Sequence, residues 1–389
     1  MLDARLSFQG VGVSARKRQE RNAEALEAFL ALCEIARQRK ADALVIAGNL
    51  WDSVSVTAMT VSKVVDAFAA LGDIPVVICP GRADPFNNHS LYNPKVLAAY
   101  AVKPWSKNVQ IFSEPHFSFW LHPSRPDYSF TGRAWVGQPV ARPDFYPAVE
   151  GRTNMLLDYE PPLGYGSDSP ASLAEQRKYE AFRYIAFGGT PNFRELRRAD
   201  GLLRGLGAGS LVVRSISELG PRNALWVELS NEQEQQRIRI DRLVSDARQL
   251  LSVPVNINGV RNINEHIARA IEAAGAREKI DLVHVRLSGI YPGGSVPEIG
   301  EDELAKRYYH LMIENRTRPD YAVEKIDTRT TSGRFVQAMQ VLKHKAEAKG
   351  GVLVGTEYGD NLSARTIEDA LYIGLEALHH KKVNLPDVN

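Results

Sequence analysis

Two short apolar runs decide the fold: Ala43-Leu44-Val45-Ile46-Ala47-Gly48 and Ile74-Pro75-Val76-Val77-Ile78-Cys79-Pro80-Gly81. Each is continuously apolar and stops at a glycine, which is typical of a strand covered on both faces. Between them, apolar residues recur at helical spacing, at Val61, Val64, Val65 and Phe68. Strand, helix and strand in this order predict a parallel pair joined by a right-handed crossover.

The sequence on both sides of this unit continues the same alternation. Residues 22–39 place apolar side chains at helical spacing among charges, which predicts a helix. Apolar runs at 109–112, 155–157 and 184–187 predict further strands. The stretch from about 113 to 180 is rich in Pro, Ser, Tyr and Arg, and we expect long loops and short edge strands there. The predicted class is α/β, with helices layered on a sheet.

The pattern changes after Glu218-Leu219-Gly220-Pro221. Strand-like runs, a helix and an alternating strand follow, at 224–229, 237–240, 263–274 and 280–287. From about 331, two helices flank a turn at Gly350-Gly351. We therefore predict an N-terminal domain at 1–221, a small α+β domain at 222–327 and a C-terminal helical segment at 328–389.

Composition excludes several classes of protein. The 389 residues are 44% hydrophobic and 24% charged, which argues against a disordered or collagen-like chain. The net charge of +2 excludes a polybasic protein. Two cysteines, Cys33 and Cys79, lie in apolar stretches and cannot form a disulfide framework, which predicts a reducing compartment. The sequence contains no run of 18 apolar residues and no signal-peptide pattern, so we expect a cytoplasmic protein without membrane contact.

Ligands of α/β folds bind at the carboxyl ends of strands, so the residues that follow each apolar run carry the functional information. In chain order these are Asp3-Ala4-Arg5-Leu6, Gly48-Asn49-Leu50-Trp51-Asp52, Pro80-Gly81-Arg82-Ala83-Asp84, Asp158-Tyr159 and Gly188-Gly189-Thr190-Pro191.

These segments resemble the SbcD and YhaO type of DNA repair exonuclease, within the calcineurin-like metallophosphoesterases. The resemblance extends along nearly the whole chain and is strongest from Ala23 to Tyr92, which is similar to the family's "AGDLFD" and "PGNHDP" strand ends. It implies a metallophosphoesterase sandwich at 1–221, a capping domain at 222–327 and partner-binding helices at 328–389. Members of this family hold two divalent ions, typically manganese, which clamp the attacking and leaving oxygens of a phosphodiester.

The sequence differs from the family at almost every metal-ligand position. By resemblance, Asp3 is retained, whereas Arg5 replaces a histidine ligand and Asn49 replaces the bridging aspartate. Arg82 replaces the asparagine ligand and Ala83 the catalytic histidine, beside the retained Gly81 and Asp84. The remaining histidine positions are occupied by Asp158 (or, with an offset of one, Tyr159), Gly189 and Pro191. A full strand precedes the first family motif, where this sequence has only Met1 and Leu2, so the strand is absent or the chain starts upstream.

These replacements disfavour a metal pair. Arg5 and Arg82 place permanent cations where two dications would lie, and Ala83 cannot donate a proton. We therefore expect no catalytic residue and no cofactor. Manganese is expected only in the alternative of a remodelled site built from Asp3, Asp84 and Asp158. These acidic side chains could instead satisfy turns and helix N-termini.

The role of the two arginines stays open. Arg5 and Arg82 could pair with Asp3, Asp84 or Asp158, so that ion pairs replace the metal ions as an internal cross-link. They could instead face a DNA phosphate.

Two basic clusters are DNA-binding candidates: Arg16, Lys17, Arg18 and Arg21, and Arg194, Arg197 and Arg198. Either cluster could also be an ordinary solvated surface.

The C-terminal stripe Ile367, Leu371, Leu375 and Leu378 could dock a partner helix or pack on the preceding helix, Phe335 to Leu342. The resemblance implies an SMC-like coiled-coil ATPase partner and a homodimer.

Taken together, the residues and the resemblance predict the nuclease-type subunit of a DNA repair or DNA defence complex, catalytically impaired and retained to position DNA and the ATPase. One alternative is an active metal-dependent nuclease or phosphoesterase with a remodelled site. The other is an interaction scaffold that does not bind nucleic acid.

Overall fold

The computed structural model describes residues 1–6, 14–165, 169–229, 238–292, 299–356 and 359–380. The chain divides into two compact units, Met1–Leu250 and Leu251–Asn389. None of the helices in these described ranges is long and apolar enough to cross a membrane.

A three-stranded parallel sheet begins the first unit. Its strands, in spatial order, are β1 (Leu44–Ala47), β2 (Val76–Cys79) and β3 (Val109–Ile111). The predicted parallel pair is confirmed, with Leu44 opposite Val76 and Ala47 opposite Cys79. Helices α1 (Ala15–Gln38) and α2 (Ala58–Ala70) cover this sheet, and their apolar faces form one core with it, including Phe29, Cys33, Val64, Phe68 and Ile78. A short helix, α3, spans Pro94–Ala99.

A second sheet of six strands follows. Its strands are β4 (Ser118–Leu121), β5 (Tyr128–Gly132), β6 (Thr153–Asp158), β7 (Phe182–Phe187), β8 (Arg194–Arg197) and β9 (Leu203–Gly207), in the order β4-β5-β6-β7-β9-β8. Strands β5, β6, β7 and β9 are parallel, and the two edge strands are antiparallel to their neighbours. The expectation of edge strands between 113 and 180 holds for β4 only, because β5 and β6 lie inside the sheet. Helix α4 spans Pro170–Arg177.

The two sheets pack face to face. Val77 and Cys79 of β2 share a buried apolar cluster with Phe130 of β5 and Leu157 of β6. The neighbouring Leu156 points the other way, into a cluster on the outer face of the second sheet that includes Tyr146, Tyr179 and Phe182. This alternation places a core on each face of the second sheet, since successive side chains of a strand face opposite sides. The predicted α/β class is confirmed at this level.

An antiparallel ribbon of β10 (Asn223–Leu229) and β11 (Ile238–Val244) completes the first unit. The unit ends at Leu250 and not at 221, because the segment after the ribbon is held to α1. Asp246 pairs with Arg21 at 2.6 Å, and Arg248 pairs with Glu24 at 2.7 Å. The sequence had suggested that a separate domain begins at 222, but the ribbon belongs to the first unit.

The second unit contains a three-stranded sheet and a helical hairpin. The sheet comprises β12 (Leu250–Asn256), β13 (Leu282–Pro292) and β14 (His310–Asp320), with helices α5 (Ile263–Ala273) and α6 (Glu301–Arg307). Strand β13 was predicted to alternate as a half-buried strand. The alternation is present around Leu287, which is buried between the exposed Arg286 and Ser288, whereas residues 282–285 are all buried.

The hairpin follows a short 3-10 helix at Val323–Lys325 and consists of α7 (Thr331–Ala348) and α8 (Ala364–His380), with strands β15 (Val352–Thr356) and β16 (Gly359–Ser363) between them. The sequence pattern had indicated only a turn there. Residues 328–389 therefore share a unit with residues 251–327.

The apolar stripe of α8 packs mainly inside the second unit. Leu371 and Leu375 are buried with Val336 of α7, and Ile367 is buried with Ala346 and Leu353. Only Leu378 is exposed, at 44%. Intramolecular packing is therefore the correct alternative for Ile367, Leu371 and Leu375, which are not available to a partner.

Candidate functional site

Asp84 lies at the carboxyl end of β2 with its side chain fully enclosed. One carboxylate oxygen accepts hydrogen bonds from the backbone N–H groups of Asn49 and Gly81, at 2.9 and 2.6 Å. The other accepts from the Leu50 N–H at 2.6 Å and the Tyr92 hydroxyl at 2.7 Å. Burial raises the pKa of Asp84 to about 6, although these donors favour the ionised form. The bonds from Asn49 and Leu50 tie the loop after β1 to the loop after β2, and those from Gly81 and Tyr92 hold Asp84 in its own loop and to a third segment.

Asn49 completes this connection from the other side. Its side-chain oxygen accepts a hydrogen bond from the Ala83 N–H at 2.9 Å. Its backbone has a positive φ of 56°, a conformation that asparagine tolerates better than most residues. A side chain at Gly81 would meet the Asn49 oxygen at 2.6 Å, so the two loops can approach this closely only with glycine there. The position that resembles a bridging metal ligand is therefore a structural hydrogen-bond acceptor.

Asp158, at the end of β6, forms a buried ion pair with Arg133. The Arg133 guanidinium contacts both carboxylate oxygens at 3.2 Å. Both side chains are at most 2% exposed. Burial raises the pKa of Asp158 to about 6, and the Arg133 charge opposes this shift. The guanidinium also lies 4.7 Å from the ring centroids of Phe117 and Tyr159, which provides two cation–π contacts.

Glu160 extends this pair into a network. It contacts Arg133 at 2.7 Å, Arg142 at 3.2 Å and Arg82 at 3.3 Å. Two carboxylates thus face three guanidinium groups. Arg82 is 65% exposed and lies over the Trp135 ring at 4.7 Å. We refer to Arg82, Arg133, Arg142, Asp158 and Glu160 as the arginine–carboxylate network.

Ion pairs between arginine and carboxylate side chains therefore do connect the strand ends, but they join different residues from those that the sequence suggested. Arg82 pairs with Glu160 and not with Asp3, Asp84 or Asp158. Arg5 is exposed and forms no ion pair with a carboxylate in the described ranges. The central cation is Arg133, which the sequence analysis missed because residues 113–180 were interpreted as long loops and short edge strands. Its position directly after the run Tyr128–Gly132 is the signal that could have identified it.

Asp3 lies apart from this network. Its carboxylate accepts a hydrogen bond from the Thr57 N–H at 3.1 Å, and Thr57 is the N-cap of α2. Its backbone φ is 49°. Asp3 therefore supports a turn and a helix start, which was the structural alternative for this residue.

The segment from Gly188 to Pro191 passes close to β1 and to the residue after Asp158. A side chain at Gly188 would overlap the Ala47 carbonyl oxygen, at 1.8 Å. Gly189 has a φ of 74° and lies against the Tyr159 carbonyl. The Pro191 carbonyl accepts a hydrogen bond from the Ser210 N–H at 2.9 Å. Glycine is needed at 188 and 189 because the backbone there approaches its neighbours so closely.

These side chains do not fit a manganese pair. Asp3, Asp84 and Asp158 each serve a separate structural partner, and the third is neutralised by Arg133. Within the described ranges, no group of three or more His, Cys, Asp and Glu side chains is placed to share a metal ion. Hard oxygen ligands must converge on one point to bind such an ion.

The basic side chains that are DNA-binding candidates differ in how exposed they are and in whether they already form ion pairs. Arg21 is buried and paired with Asp246, which removes it from the DNA-binding candidates. Arg18 and Arg194 are exposed, and neither forms an ion pair with a described residue. Lys17 is partly buried. The other three candidates form surface pairs: Arg16 with Glu20, Arg197 with Glu195 and Arg198 with Asp200.

Neither a scan against protein-family models nor a search of curated proteins finds a match for this chain. A functional interpretation therefore rests on the residues and contacts at the strand ends.

Proposed function

We propose that this chain is a nuclease-type subunit of a DNA repair or DNA defence complex, on a calcineurin-like metallophosphoesterase sandwich, and that it binds DNA and an SMC-like coiled-coil ATPase without cutting DNA itself. The observation that carries this proposal is the arginine–carboxylate network. It occupies the carboxyl ends of β5 and β6, and its Arg82 follows β2, near the positions that resemble metal ligands.

The layered architecture supports the choice of fold. Two face-to-face sheets, with α1 and α2 outside the first, are what a metallophosphoesterase sandwich requires. The strand ends of β1 and β2 are joined through Asn49 and Asp84. These contacts hold the loops of the strand ends in place without an ion, which a retained but non-catalytic site needs.

The chemistry of the site supports the loss of catalysis. Cleavage of a phosphodiester requires stabilisation of the developing charge and a proton for the leaving oxygen. The methyl group of Ala83 cannot supply that proton, and the carboxylate of Asp158 is engaged by Arg133. An active site remodelled around manganese would first have to break these buried contacts.

Positive charge supports DNA as a ligand. The first turn of α1 carries Arg16, Lys17 and Arg18 and no acidic residue, although the positive end of the helix dipole disfavours cations there. A phosphate would relieve this repulsion. The arginine–carboxylate network is a second positive region. Three arginines against two carboxylates leave this site with an excess of one positive charge.

The test is a binding titration with labelled double-stranded DNA, repeated at several salt concentrations with manganese present, and with the DNA length checked afterwards. We expect binding that weakens as salt rises, because bound phosphates release counterions, and DNA that stays intact. Manganese-dependent cutting would instead establish the active phosphoesterase. A complete lack of binding at low salt would establish the scaffold that does not bind nucleic acid.

The ATPase contact is assigned to the α7–α8 hairpin. The exposed large apolar side chains of its two helices are Val341, at 52%, and Leu378, at 44%. Co-purification with a coiled-coil ATPase encoded beside this gene tests the assignment. We expect Val341→Asp and Leu378→Asp to abolish co-purification, whereas Lys349→Asp, at the end of α7, should not. Equal recovery with all three variants would refute this contact.

A further inference from the structure

Arg82 and Trp135 form an exposed stack at the rim of the arginine–carboxylate network. The Arg82 guanidinium lies over the indole ring of Trp135, at 4.7 Å from the ring centroid. The Arg82 side chain is 65% exposed, compared with 18% for Arg142 and 1% for Arg133. Since one face of this planar group lies against the indole, its opposite face is directed to solvent. We refer to Arg82 and Trp135 as the arginine–tryptophan stack.

Backbone hydrogen bonds hold this stack in place at the strand ends. The Trp135 N–H donates to the Pro80 carbonyl at 2.9 Å, and the Phe86 N–H donates to the Trp135 carbonyl at 2.8 Å. Trp135 is therefore bound on both sides to the segment after β2, which carries Arg82. The indole also meets the buried Tyr159 ring edge to face, with centroids 5.8 Å apart. A ligand that binds the stack would not have to order it, because these contacts already do so.

The charges around the stack leave Arg82 available to an anionic ligand. Within the described ranges, its guanidinium forms one hydrogen bond, to Glu160 at 3.3 Å, so most of its N–H donors are free. Glu160 is the nearest acidic group, and it already contacts Arg133 at 2.7 Å and Arg142 at 3.2 Å. A surface ion pair such as Arg82–Glu160 is weak, so a phosphate that accepts parallel hydrogen bonds from the guanidinium edge can compete with it.

A nucleotide carries both of the groups that this stack can bind. The open face of the guanidinium, supported by the indole, provides a stacking surface for a nucleobase. The N–H edge of the same guanidinium provides donors for the adjacent phosphate. A compact inorganic anion would use the N–H edge alone and would leave the open face uncovered. In a paired duplex the base faces are covered by their neighbours, so only an unpaired base can stack here.

We propose that the arginine–tryptophan stack is a subsite for an unpaired nucleobase of a DNA strand, with the phosphate of that nucleotide on the N–H edge of Arg82. This inference rests on the proposed function, because it requires that the protein binds DNA. It adds a preference for single-stranded ends and overhangs over fully paired DNA. A free nucleotide has the same chemistry, and the experiment distinguishes it from a strand.

The test compares the affinity of the full chain for a labelled oligothymidine and for an abasic oligomer with the same number of phosphates. We expect the oligothymidine to bind ~10-fold more tightly, because only its bases can stack. Trp135→Leu and Arg82→Lys should each abolish this difference. Arg82→Lys keeps the charge and removes the plane, and its exposed position leaves the fold intact.

A second stack of the same kind provides the matched control. The Arg125 guanidinium lies over the Tyr128 ring at 4.8 Å, and its side chain is 43% exposed. Tyr128 begins β5, whereas Trp135 follows the end of that strand, so the two stacks lie at opposite ends of the second sheet. Arg125→Lys and Tyr128→Leu should therefore retain the ~10-fold difference between the two oligomers.

The possible outcomes separate this inference from the proposed function. Equal affinity of the wild type for both oligomers would overturn the inference and leave DNA binding intact, and so would a difference that Arg125→Lys removes as well. Binding of neither oligomer would refute the proposed function and the inference with it. Displacement of the oligothymidine by thymidine monophosphate at equal nucleotide concentration would overturn the assignment to a DNA strand in favour of a free nucleotide.

Discussion

At the residue scale, Asp84 shows how a position that resembles a metal ligand can act as a structural acceptor. Its carboxylate receives three backbone N–H groups and the Tyr92 hydroxyl, from two loops and a third segment of the chain. An amide at this position would offer one acceptor oxygen and would point an N–H group at existing donors. A single buried side chain thus connects the strand ends of β1 and β2.

We predict that the stabilising effect of Asp84 depends on pH. Because the pKa of Asp84 is raised to about 6 in the folded protein, above its ordinary value of 3.8, the folded state holds the proton more tightly than the unfolded state. This contribution to stability is fully present below pH 3.8 and is lost as the pH rises through 6. In denaturant unfolding, the deficit of Asp84→Asn relative to wild type should be larger at pH 5 than at pH 7.5, by about 1 kcal/mol.

Asp66→Asn is the control for this comparison, since Asp66 is exposed and pairs with Lys103 at the surface. Its effect should be small and alike at both pH values. A deficit of Asp84→Asn that is the same at pH 5 and pH 7.5 would contradict the prediction.

The Arg133–Asp158 pair leads to a second residue-scale prediction. Arg133→Met should lower the free energy of unfolding by about 3–5 kcal/mol, because it leaves the Asp158 carboxylate buried without its partner. The double variant Arg133→Met, Asp158→Leu should recover much of that loss, since it removes both buried charges. The measurement is chemical denaturation of both variants.

Arg125→Met serves as the matched control, because Arg125 is 43% exposed and pairs with Asp42 at the surface. It should cost at most about 1 kcal/mol. Equal losses for Arg125→Met and Arg133→Met would show that the buried pair contributes no more than a surface pair.

Much of this site could be predicted from the sequence at the level of single residues. The structural alternative for Asp3, Asn49 and Asp84 follows from the habit of Asp and Asn side chains to cap turns and helices. The partners could not be predicted, because an ion pair such as Arg133–Asp158 joins residues from different strands. Arg21 was wrongly included among the DNA-binding candidates for the same reason. It lies in a basic run of the sequence, but in the structure it is buried and paired with Asp246, which is distant in sequence.

At the scale of elements, the first turn of α1 carries the DNA contact in this account. Arg18→Ala should weaken DNA binding and reduce the slope of log affinity against log salt by about 1, because one phosphate contact is lost. Arg37→Ala, near the opposite end of α1 and also exposed, should leave the slope unchanged. The slopes are measured by fluorescence anisotropy of labelled DNA. Identical slopes for Arg18→Ala and wild type would contradict a DNA contact at the first turn of α1.

Helix α8 gives a prediction about packing. Leu375 is fully buried against α7, so Leu375→Ala should reduce the stability of the second unit by about 2–5 kcal/mol. Leu378→Ala should change it little, because Leu378 is 44% exposed. Thermal unfolding of both variants is the measurement. A larger loss of stability for Leu378→Ala than for Leu375→Ala would contradict the assignment of Leu375 to the buried face of α8 and Leu378 to the exposed face.

Helices α1 and α2 could be predicted from the helical spacing of their apolar residues, and strands β1 and β2 from their short, continuous apolar runs. The hairpin of β15 and β16 was missed because its apolar run, Val352-Leu353-Val354, is only three residues long and directly follows the Gly350-Gly351 turn. The interior position of β5 was missed because it depends on pairing with β4 on one side and β6 on the other, and the local sequence does not show this pairing.

At the scale of the whole molecule, the layered α/β class follows from the order of apolar runs, whereas the boundaries between units do not. The ribbon of β10 and β11 looks independent in sequence, yet Arg248 and Asp246 join the segment that follows it to α1. Such boundaries depend on contacts between distant residues, which periodicity does not encode.

The central proposal is that buried ion pairs and hydrogen bonds, and not a metal pair, hold the strand ends together. The most direct test is equilibrium dialysis of the purified protein against manganese, followed by measurement of the metal bound per chain. We predict well below one ion per chain. Binding of one or two ions per chain, lost in Asp84→Ala or Asp158→Ala while an Asp66→Ala control retains it, would contradict the account.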